Sequence, residues 1–282
     1  MSSVCFHFGT VGSPNSTPKK PGGSVGAILR IAELGLDALE LGWVRSVRVS
    51  EKTCDLIKNA AEDNGVFISV HAPYYINLNA DSAEWSKSRQ RLMDAAHFGN
   101  LAGATDIIFH PGSYFGKEPR QVMPIVLDRL SGCINELRDN RNFVTLRPET
   151  MGKSAMIGSL EDTLTMSQEI EGVEPCLDFA HLHARPGDGS MNSYDEWARV
   201  IEMYTNTLGD QSLHSLHIHL SGIKYSEKGE REHLMLEDSD FNLEALLRAL
   251  HQFNCSGRIV CESPVMEDDA IKIQRSWNNL VG

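Results

Sequence analysis

Short apolar runs and longer amphipathic segments alternate along the whole chain, and this alternation constrains the fold more than any other feature. The runs are continuous stretches of apolar residues, as expected for strands that are buried on both faces, and helical patterns follow them. Eight strands are predicted, at 4–10, 38–41, 66–70, 104–109, 142–146, 176–178, 213–220 and 258–261. Eight strand–helix units predict an α/β fold, a (β/α)8 TIM barrel, with residues 1–282 forming a single domain.

The alternative arrangement of such units is an open, doubly wound sheet. That fold typically carries a glycine-rich phosphate-binding loop after an early strand. Neither a GxGxxG sequence nor a Walker sequence is present in the chain. The closed barrel is therefore the better prediction.

Each of the later predicted strands ends at a histidine or an acidic residue. The six residues are His71, His110, Glu149, Asp178, His219 and Glu262. A single such residue could be a hydrogen-bonded histidine or an ion-paired carboxylate at the barrel rim. Because the carboxyl ends of all strands meet at one end of a barrel, six of them together predict a metal site. Imidazoles and carboxylates are ligands that zinc and manganese accept when cysteine is absent.

Other histidines lie near these positions. His181 and His233 fall in the predicted loops after the sixth and seventh strands, on the same side of the barrel. His217 is expected to point to the opposite side of its strand from His219, His183 lies in a loop, and His7 is expected to pack inside the first strand.

Composition limits the compartment and the partners. The six cysteines include no CxxC pair, no basic-then-apolar segment resembles a signal peptide, and no apolar run is long enough to span a membrane. These features predict an intracellular protein, in the cytoplasm or the nucleoid or nucleus, with no membrane partner. The net charge of −12 argues against nucleic acid, although bound metal ions and a local basic surface could offset it.

The strand-end residues also occur in short motifs. These are His71–Leu78 (HAPYYINL), His110-Pro111-Gly112, Glu149, Leu177-Asp178-x-x-His181, His219-Leu220 and Glu262-Ser263. In this order, the chain resembles the endonuclease IV family, the trinuclear zinc-dependent apurinic/apyrimidinic (AP) endonucleases of the xylose-isomerase-like TIM barrel superfamily. The resemblance runs the length of the chain.

The resemblance implies two or three zinc ions, with manganese as an alternative. One ion would be held by His71, His110 and Glu149, and a second by Glu149, Asp178, His219 and Glu262, with Glu149 bridging. A third would be held by His181, His233 and one carboxylate.

Two positions depart from the family pattern. The corresponding loop of the family reads Asp-x-His. Here the segment is Gly229-Glu230-Arg231-Glu232-His233, and Arg231 stands at the aspartate position. Glu230 or Glu232 could supply the carboxylate after a one-residue shift, which would turn Arg231 outward toward a DNA phosphate. Val11 replaces a family histidine, so DNA contacts from the first loop are not implied.

The implied activity is cleavage of the phosphodiester bond 5′ to abasic sites in DNA, as in base excision repair, by a monomer. Glu149 and Glu262 would be the catalytic residues, and Tyr74, with Tyr75 beside it, would fill the gap left by the flipped nucleotide. Arg45 follows the second strand, where the family also inserts an arginine. The alternatives are a one-metal sugar isomerase or epimerase and a metal-dependent DNA-binding protein that does not cut.

Overall fold

The computed structural model describes residues 5–282. In this part of the chain the strands are β1 (Phe6–Val11), β2 (Ala38–Gly42), β3 (Phe67–His71), β4 (Asp106–Phe109), β5 (Thr145–Pro148), β6 (Cys176–Asp178), β7 (Leu216–Leu220), β8 (Gly222–Ser226), β9 (Gly229–Leu234) and β10 (Gly257–Cys261). The helices are α1 (Gly23–Glu33), α2 (Glu51–Asn64), α3 (Ser82–Leu101), α4 (Pro119–Asp139), α5 (Leu160–Glu169), α6 (Phe179–Ala184), α7 (Tyr194–Leu208), α8 (Leu243–Gln252) and α9 (Glu267–Val281).

Eight of the strands form one parallel sheet. Their order is β5-β4-β3-β2-β1-β10-β7-β6, and the outermost strands, β5 and β6, meet through the isolated bridges Leu146↔Val173 and Glu149↔Cys176. The sheet is thereby closed into a barrel, with the helices packed around it. The predicted α/β fold, a (β/α)8 TIM barrel, is confirmed.

Local sequence signals place the helix ends as expected. The Ser50 side chain accepts a hydrogen bond of 3.2 Å from the backbone N–H of Thr53, so that α2 begins at Glu51. Gly65 follows the helix in the left-handed conformation, with a φ of 65°, which costs glycine nothing. The hydrophobic core lies between the outer faces of the strands and the helices, and includes Trp197 and Phe179.

The structure corrects several predicted boundaries. The fifth strand, predicted at 142–146, begins at Thr145 and runs to Pro148, and the seventh begins at Leu216 because 210–214 form a 3-10 helix. Residue 4, predicted to begin the first strand, lies outside the described residues. Among residues 5–282, no helix combines the length and the apolar character needed to cross a membrane.

Two elements near the carboxyl ends of the strands were not predicted. Asp178 accepts a hydrogen bond of 2.7 Å from the backbone N–H of His181 and so begins the short helix α6. An antiparallel hairpin, β8–β9, follows β7. His181 and His233, predicted in loops, therefore lie on a helix and on a strand.

Candidate metal centre

The six strand-end residues lie at the same end of the barrel, together with His181 and His233. Their ligand atoms form three overlapping groups, each with all atoms within 4.8 Å of one another. The groups are His71, His110 and Glu149; then Glu149, Asp178, His219 and Glu262; then Asp178, His181 and His233. These sets correspond closely to the three implied by the family resemblance.

Glu149 is the centre of the arrangement. Its Oε2 lies 3.2 Å from His71 Nε2 and 3.3 Å from His110 Nε2, whereas its Oε1 lies 3.6 Å from His219 Nδ1. The side chain is fully buried. Burial alone would raise the pKa of this carboxyl, but the histidines around it, including His181, hold the pKa well below its usual value. A carboxylate between two sets of imidazoles can bridge two ions.

The spacing of these atoms fits a metal ion better than a network of hydrogen bonds. Ligands about 2.0–2.2 Å from a tetrahedral zinc ion are separated from one another by roughly 3.3–3.6 Å. The distance from His219 Nδ1 to Glu262 Oε1 is 3.6 Å, and that from His181 Nε2 to His233 Nε2 is 3.3 Å. Moreover, Glu149 Oε1, Asp178 Oδ2 and His219 Nδ1 are buried and have no hydrogen-bond partner among the described residues. Such atoms are costly to bury unless a ligand satisfies them.

Neighbouring acceptors orient the histidine rings. The Nδ1–H groups of His71 and His181 donate to the carbonyl oxygens of Ala72 and Thr150, each at 2.9 Å. Their Nε2 atoms are thereby left as lone-pair donors that face the cluster. Hydrogen bonds of this kind usually fix the tautomer of histidines that bind metal.

Without metal, the negative charges of the centre favour protonated histidines. Burial by itself would lower the pKa of His71, but pairing with Glu149 raises it to about 9. Asp178 and Glu149 likewise raise the pKa of buried His181 to about 10. Burial raises the pKa of Asp178 to about 6. Protons and metal ions therefore compete for this site.

Glu230 lies beside the third group of potential ligands. His181 Nε2 lies 3.3 Å from His233 Nε2 and 3.5 Å from Glu230 Oε2. Glu232, the other candidate, instead pairs with Lys224 at 2.9 Å and is exposed. Of the two carboxylates predicted as alternatives, only Glu230 faces the cluster.

A β-bulge explains why Glu230 takes this position. In the hairpin, Lys224 pairs with Glu232 but Tyr225 pairs with Glu230, so that Arg231 is an extra residue. The bulge brings Glu230 and His233 to the same side, although they are three residues apart. Arg231 is exposed, and its Nε donates to Ser226 Oγ at 3.0 Å.

Two glycines allow the hairpin to approach the loop after β5. A Cβ atom on Gly152 would lie 2.6 Å from Glu230 Cβ, and one on Gly229 would lie 2.1 Å from the Gly152 carbonyl oxygen. The Glu230 N–H donates to that same carbonyl at 2.9 Å. This contact holds the Glu230 backbone beside the cluster.

The centre opens into a cavity of about 440 Å3. Its lining comprises Val11, Tyr74, His110, His181, Glu230, His233 and Glu262. The Tyr74 ring stacks on the ring of His110 with centroids 5.1 Å apart, and its side chain is half exposed. Tyr75 and Arg45 are exposed and do not line this cavity. Of the predicted DNA-contacting residues, only Tyr74 lies at the centre.

One buried acid beneath the centre was not predicted. Glu40, in β2, is fully buried, and its Oε2 accepts a hydrogen bond of 2.8 Å from His217 Nε2. The prediction that His217 points away from His219 was wrong, because residues two apart on a strand share a face. The available signal for Glu40 was an acidic residue within the apolar run 38–41. His183 is also buried, with Nε2 3.0 Å from Asp240 Oδ1.

Comparisons with known proteins agree with this fold. A model of the xylose isomerase-like TIM barrel family matches residues 28–279, and the chain belongs to this family. An uncharacterized protein of Methanocaldococcus jannaschii is 36% identical over 278 residues, which cover 98% of both chains. A probable endonuclease 4 of Oceanobacillus iheyensis is 27% identical over 216 residues, which cover 73% of this chain and 61% of the relative.

Two solved structures share this fold. Endonuclease IV from Thermus thermophilus superposes with a TM-score of 0.72 at 19% identity, over 97% of this chain and 98% of the other. A D-tagatose 3-epimerase-like protein superposes with a TM-score of 0.68, also at 19% identity, over 92% and 96%. At this identity the structures show a shared fold. Together with the sequence relatives, they confirm the resemblance to endonuclease IV as that of a divergent member.

Proposed function

We propose that this protein is a metal-dependent AP endonuclease, which cleaves the phosphodiester bond 5′ to abasic sites in DNA. The observation that carries the proposal is the third ligand group. A one-metal sugar isomerase would need only Glu149, Asp178, His219 and Glu262. The pair of His181 and His233, with facing Nε2 atoms and Glu230 beside them, supports a centre for more than one ion.

Two or three zinc ions, or manganese ions, would be held by the three groups of residues. Bound there, they would supply Lewis acidity toward a phosphate group and lower the pKa of a water molecule. The ligands are nitrogen and oxygen atoms, which suit either metal. Glu149 would bridge two of the ions, since its two oxygens face different histidines.

Glu262 is placed to handle the attacking water. It is only partly buried, it lines the cavity, and its two oxygens face His219 and His233, respectively. It would orient the water and accept its proton as the water attacks phosphorus and the 3′ oxygen leaves. Tyr74, at the mouth of the cavity, would fill the space vacated by the abasic nucleotide.

A nicking assay on a duplex with one abasic site tests the proposal. Zinc-loaded protein should cut at that site and leave the intact duplex uncut. Glu262→Gln should abolish cutting while the fold is preserved, and the exposed Glu237→Gln serves as the matched control. Wild-type protein that carries two or three ions per chain but does not cut abasic DNA would contradict the proposal.

The rival function is that of a sugar epimerase, favoured by the similarity to epimerase structures and by the paired carboxylates Glu149 and Glu262. One ion per chain together with turnover of a ketose would favour it. Binding of abasic DNA without cleavage would instead indicate a DNA-binding protein that has lost the reaction.

A further inference from the structure

A chain of buried polar side chains runs beneath the metal centre. Glu40 lies between His217 and His219, with its Oε2 2.8 Å from His217 Nε2 and its Oε1 3.1 Å from His219 Nε2. All three side chains are almost completely excluded from solvent. On its other nitrogen, Nδ1, His219 faces Glu149 and Glu262, each at 3.6 Å. Glu40 therefore stands directly behind a predicted metal ligand.

The two oxygens of Glu40 have different partners. Oε2 accepts two hydrogen bonds, from His217 Nε2–H and from Ser69 Oγ–H at 2.9 Å. Oε1 has no aligned hydrogen bond, and neither does His219 Nε2, among the residues that the structure describes. Both atoms are buried and lie 3.1 Å apart, so a small rotation of the ring would let His219 Nε2–H donate a hydrogen bond to Glu40 Oε1.

Three other histidines of the centre already have a partner behind the ring. His71 and His181 donate to backbone carbonyl oxygens, and His233 Nδ1 lies 3.1 Å from Ser221 Oγ. These contacts orient their rings. For His219 the carboxylate acceptor near Nε2 is Glu40 Oε1, at 3.1 Å, and the Sγ of Cys176, a weaker acceptor, lies within 4.8 Å of a nitrogen of this ring.

A second, deeper metal site is a poorer explanation of the same residues. Separate ligands of one tetrahedral zinc ion are roughly 3.3–3.6 Å apart. The 2.8 Å contact between Glu40 and His217 is shorter and is an ordinary hydrogen bond.

We propose that Glu40 is a positioning residue for His219, which holds the proton on Nε2 and so leaves Nδ1 free to bind metal between Glu149 and Glu262. This inference rests on the proposed metal role of His219. Glu40 would act through its contact with His219 and would not touch a substrate. A carboxylate in this position also raises the basicity of the imidazole and thereby its affinity for a cation.

Zinc affinity of the full chain tests the role of Glu40. Glutamine at this position keeps the shape but offers one acceptor oxygen and one amide donor, so the three donors around it cannot all be satisfied. Glu40→Gln should weaken binding of one zinc ion by about 10–100-fold, measured against a chromophoric chelator. The exposed Glu237→Gln, which makes the same chemical change far from this chain of side chains, is the control and should bind zinc like the wild type. An unchanged affinity in Glu40→Gln would overturn the proposal.

A second measurement does not depend on whether the variant folds. In zinc-loaded, 15N-labelled wild-type protein, long-range proton–nitrogen spectra should show the proton of His219 on Nε2 and the metal-bound nitrogen as Nδ1. The reverse assignment would overturn the proposal. Neither measurement uses DNA. A protein that meets both expectations but does not cut abasic DNA would contradict only the proposed function, whereas unchanged zinc affinity in Glu40→Gln beside normal cutting by the wild type would contradict only the role of Glu40.

Discussion

The two ends of the barrel both bury charged side chains but satisfy them differently. At the end where the strands begin, Arg147 donates to Asp106, to Glu174 Oε2 at 2.9 Å and to the Pro175 carbonyl at 3.0 Å. Arg258 pairs with the other Asp106 oxygen at 3.1 Å. At the opposite end, Glu149, Asp178 and His219 each keep a buried polar atom without a hydrogen-bond partner among the described residues.

This difference separates a structural network from a candidate binding site. Cavities of about 390 Å3 and 440 Å3 open at the two ends, so volume does not distinguish them. At the first end, cations and carboxylates neutralise each other, so a bound ligand would add little interaction energy. At the second, carboxylates and imidazoles converge with unmet bonding capacity, which cations can satisfy.

The largest effect is expected at the centre itself. Glu149→Gln removes the bridging charge, so the protein should lose at least one bound ion and about a thousandfold in cutting rate, which corresponds to several kcal/mol of transition-state stabilisation. Elemental analysis and the nicking assay measure both. Glu174→Gln, at the opposite end, should retain its ions and its activity. A fully loaded and active Glu149→Gln would mean that the centre does not depend on this carboxylate.

The converse change breaks the network at the other end. Arg147→Met leaves Asp106 with one cationic partner fewer, and loss of one member of a buried ion pair typically costs about 3–5 kcal/mol. The free energy of unfolding in urea should fall accordingly, while the folded protein binds as many ions as the wild type. A loss of metal at unchanged stability would show that the two ends are not independent.

A smaller effect is expected within the third ligand group. Glu230→Gln should lower the metal content by about one ion per chain and weaken cutting, as expected for loss of a ligand. Glu232→Gln and Arg231→Ala should leave the metal content unchanged, because both side chains point outward. If Glu232→Gln lost the ion and Glu230→Gln kept it, the assignment from the bulge would be wrong.

The smallest effect is a pH dependence of the metal-free protein. The pKa values of His71 and His181 are raised from 6.5 to about 9 and about 10. Folding therefore favours their protonated forms, and this stability is present in full below pH 6.5 and is lost as the pH rises through 9 to 10. The melting temperature of chelated protein should fall over this range, and that of zinc-loaded protein should fall less. Parallel curves would indicate that these histidines do not bind the metal.

The barrel and the positions of its strand-end ligands followed from the sequence. Continuous apolar runs predict buried parallel strands, and barrel topology then requires that His71, Glu149 and Glu262 meet at one end. The topology alone brings these residues together. That they bind metal stays a prediction.

The hairpin and the acid beneath the centre did not follow from the sequence. The bulge at Arg231 coincides with a close approach of Glu230 to Gly152, a tertiary contact that no local pattern encodes. Glu40 was overlooked because a single acid in an apolar run does not reveal which side chains surround it. For His217 the sequence does contain the needed information, because residues two apart on a strand share a face, and the prediction misapplied this periodicity.

The closure between β5 and β6 has a mechanical consequence. These strands meet through isolated bridges and not through a continuous ladder, and the ligands Glu149 and Asp178 extend from their ends. An ion shared by these two carboxylates would be a cross-link over the least continuous junction of the barrel. Metal binding would then stabilise the contact between β5 and β6. The amide protons of 145–150 and 176–178 would exchange faster with solvent once the ions are removed.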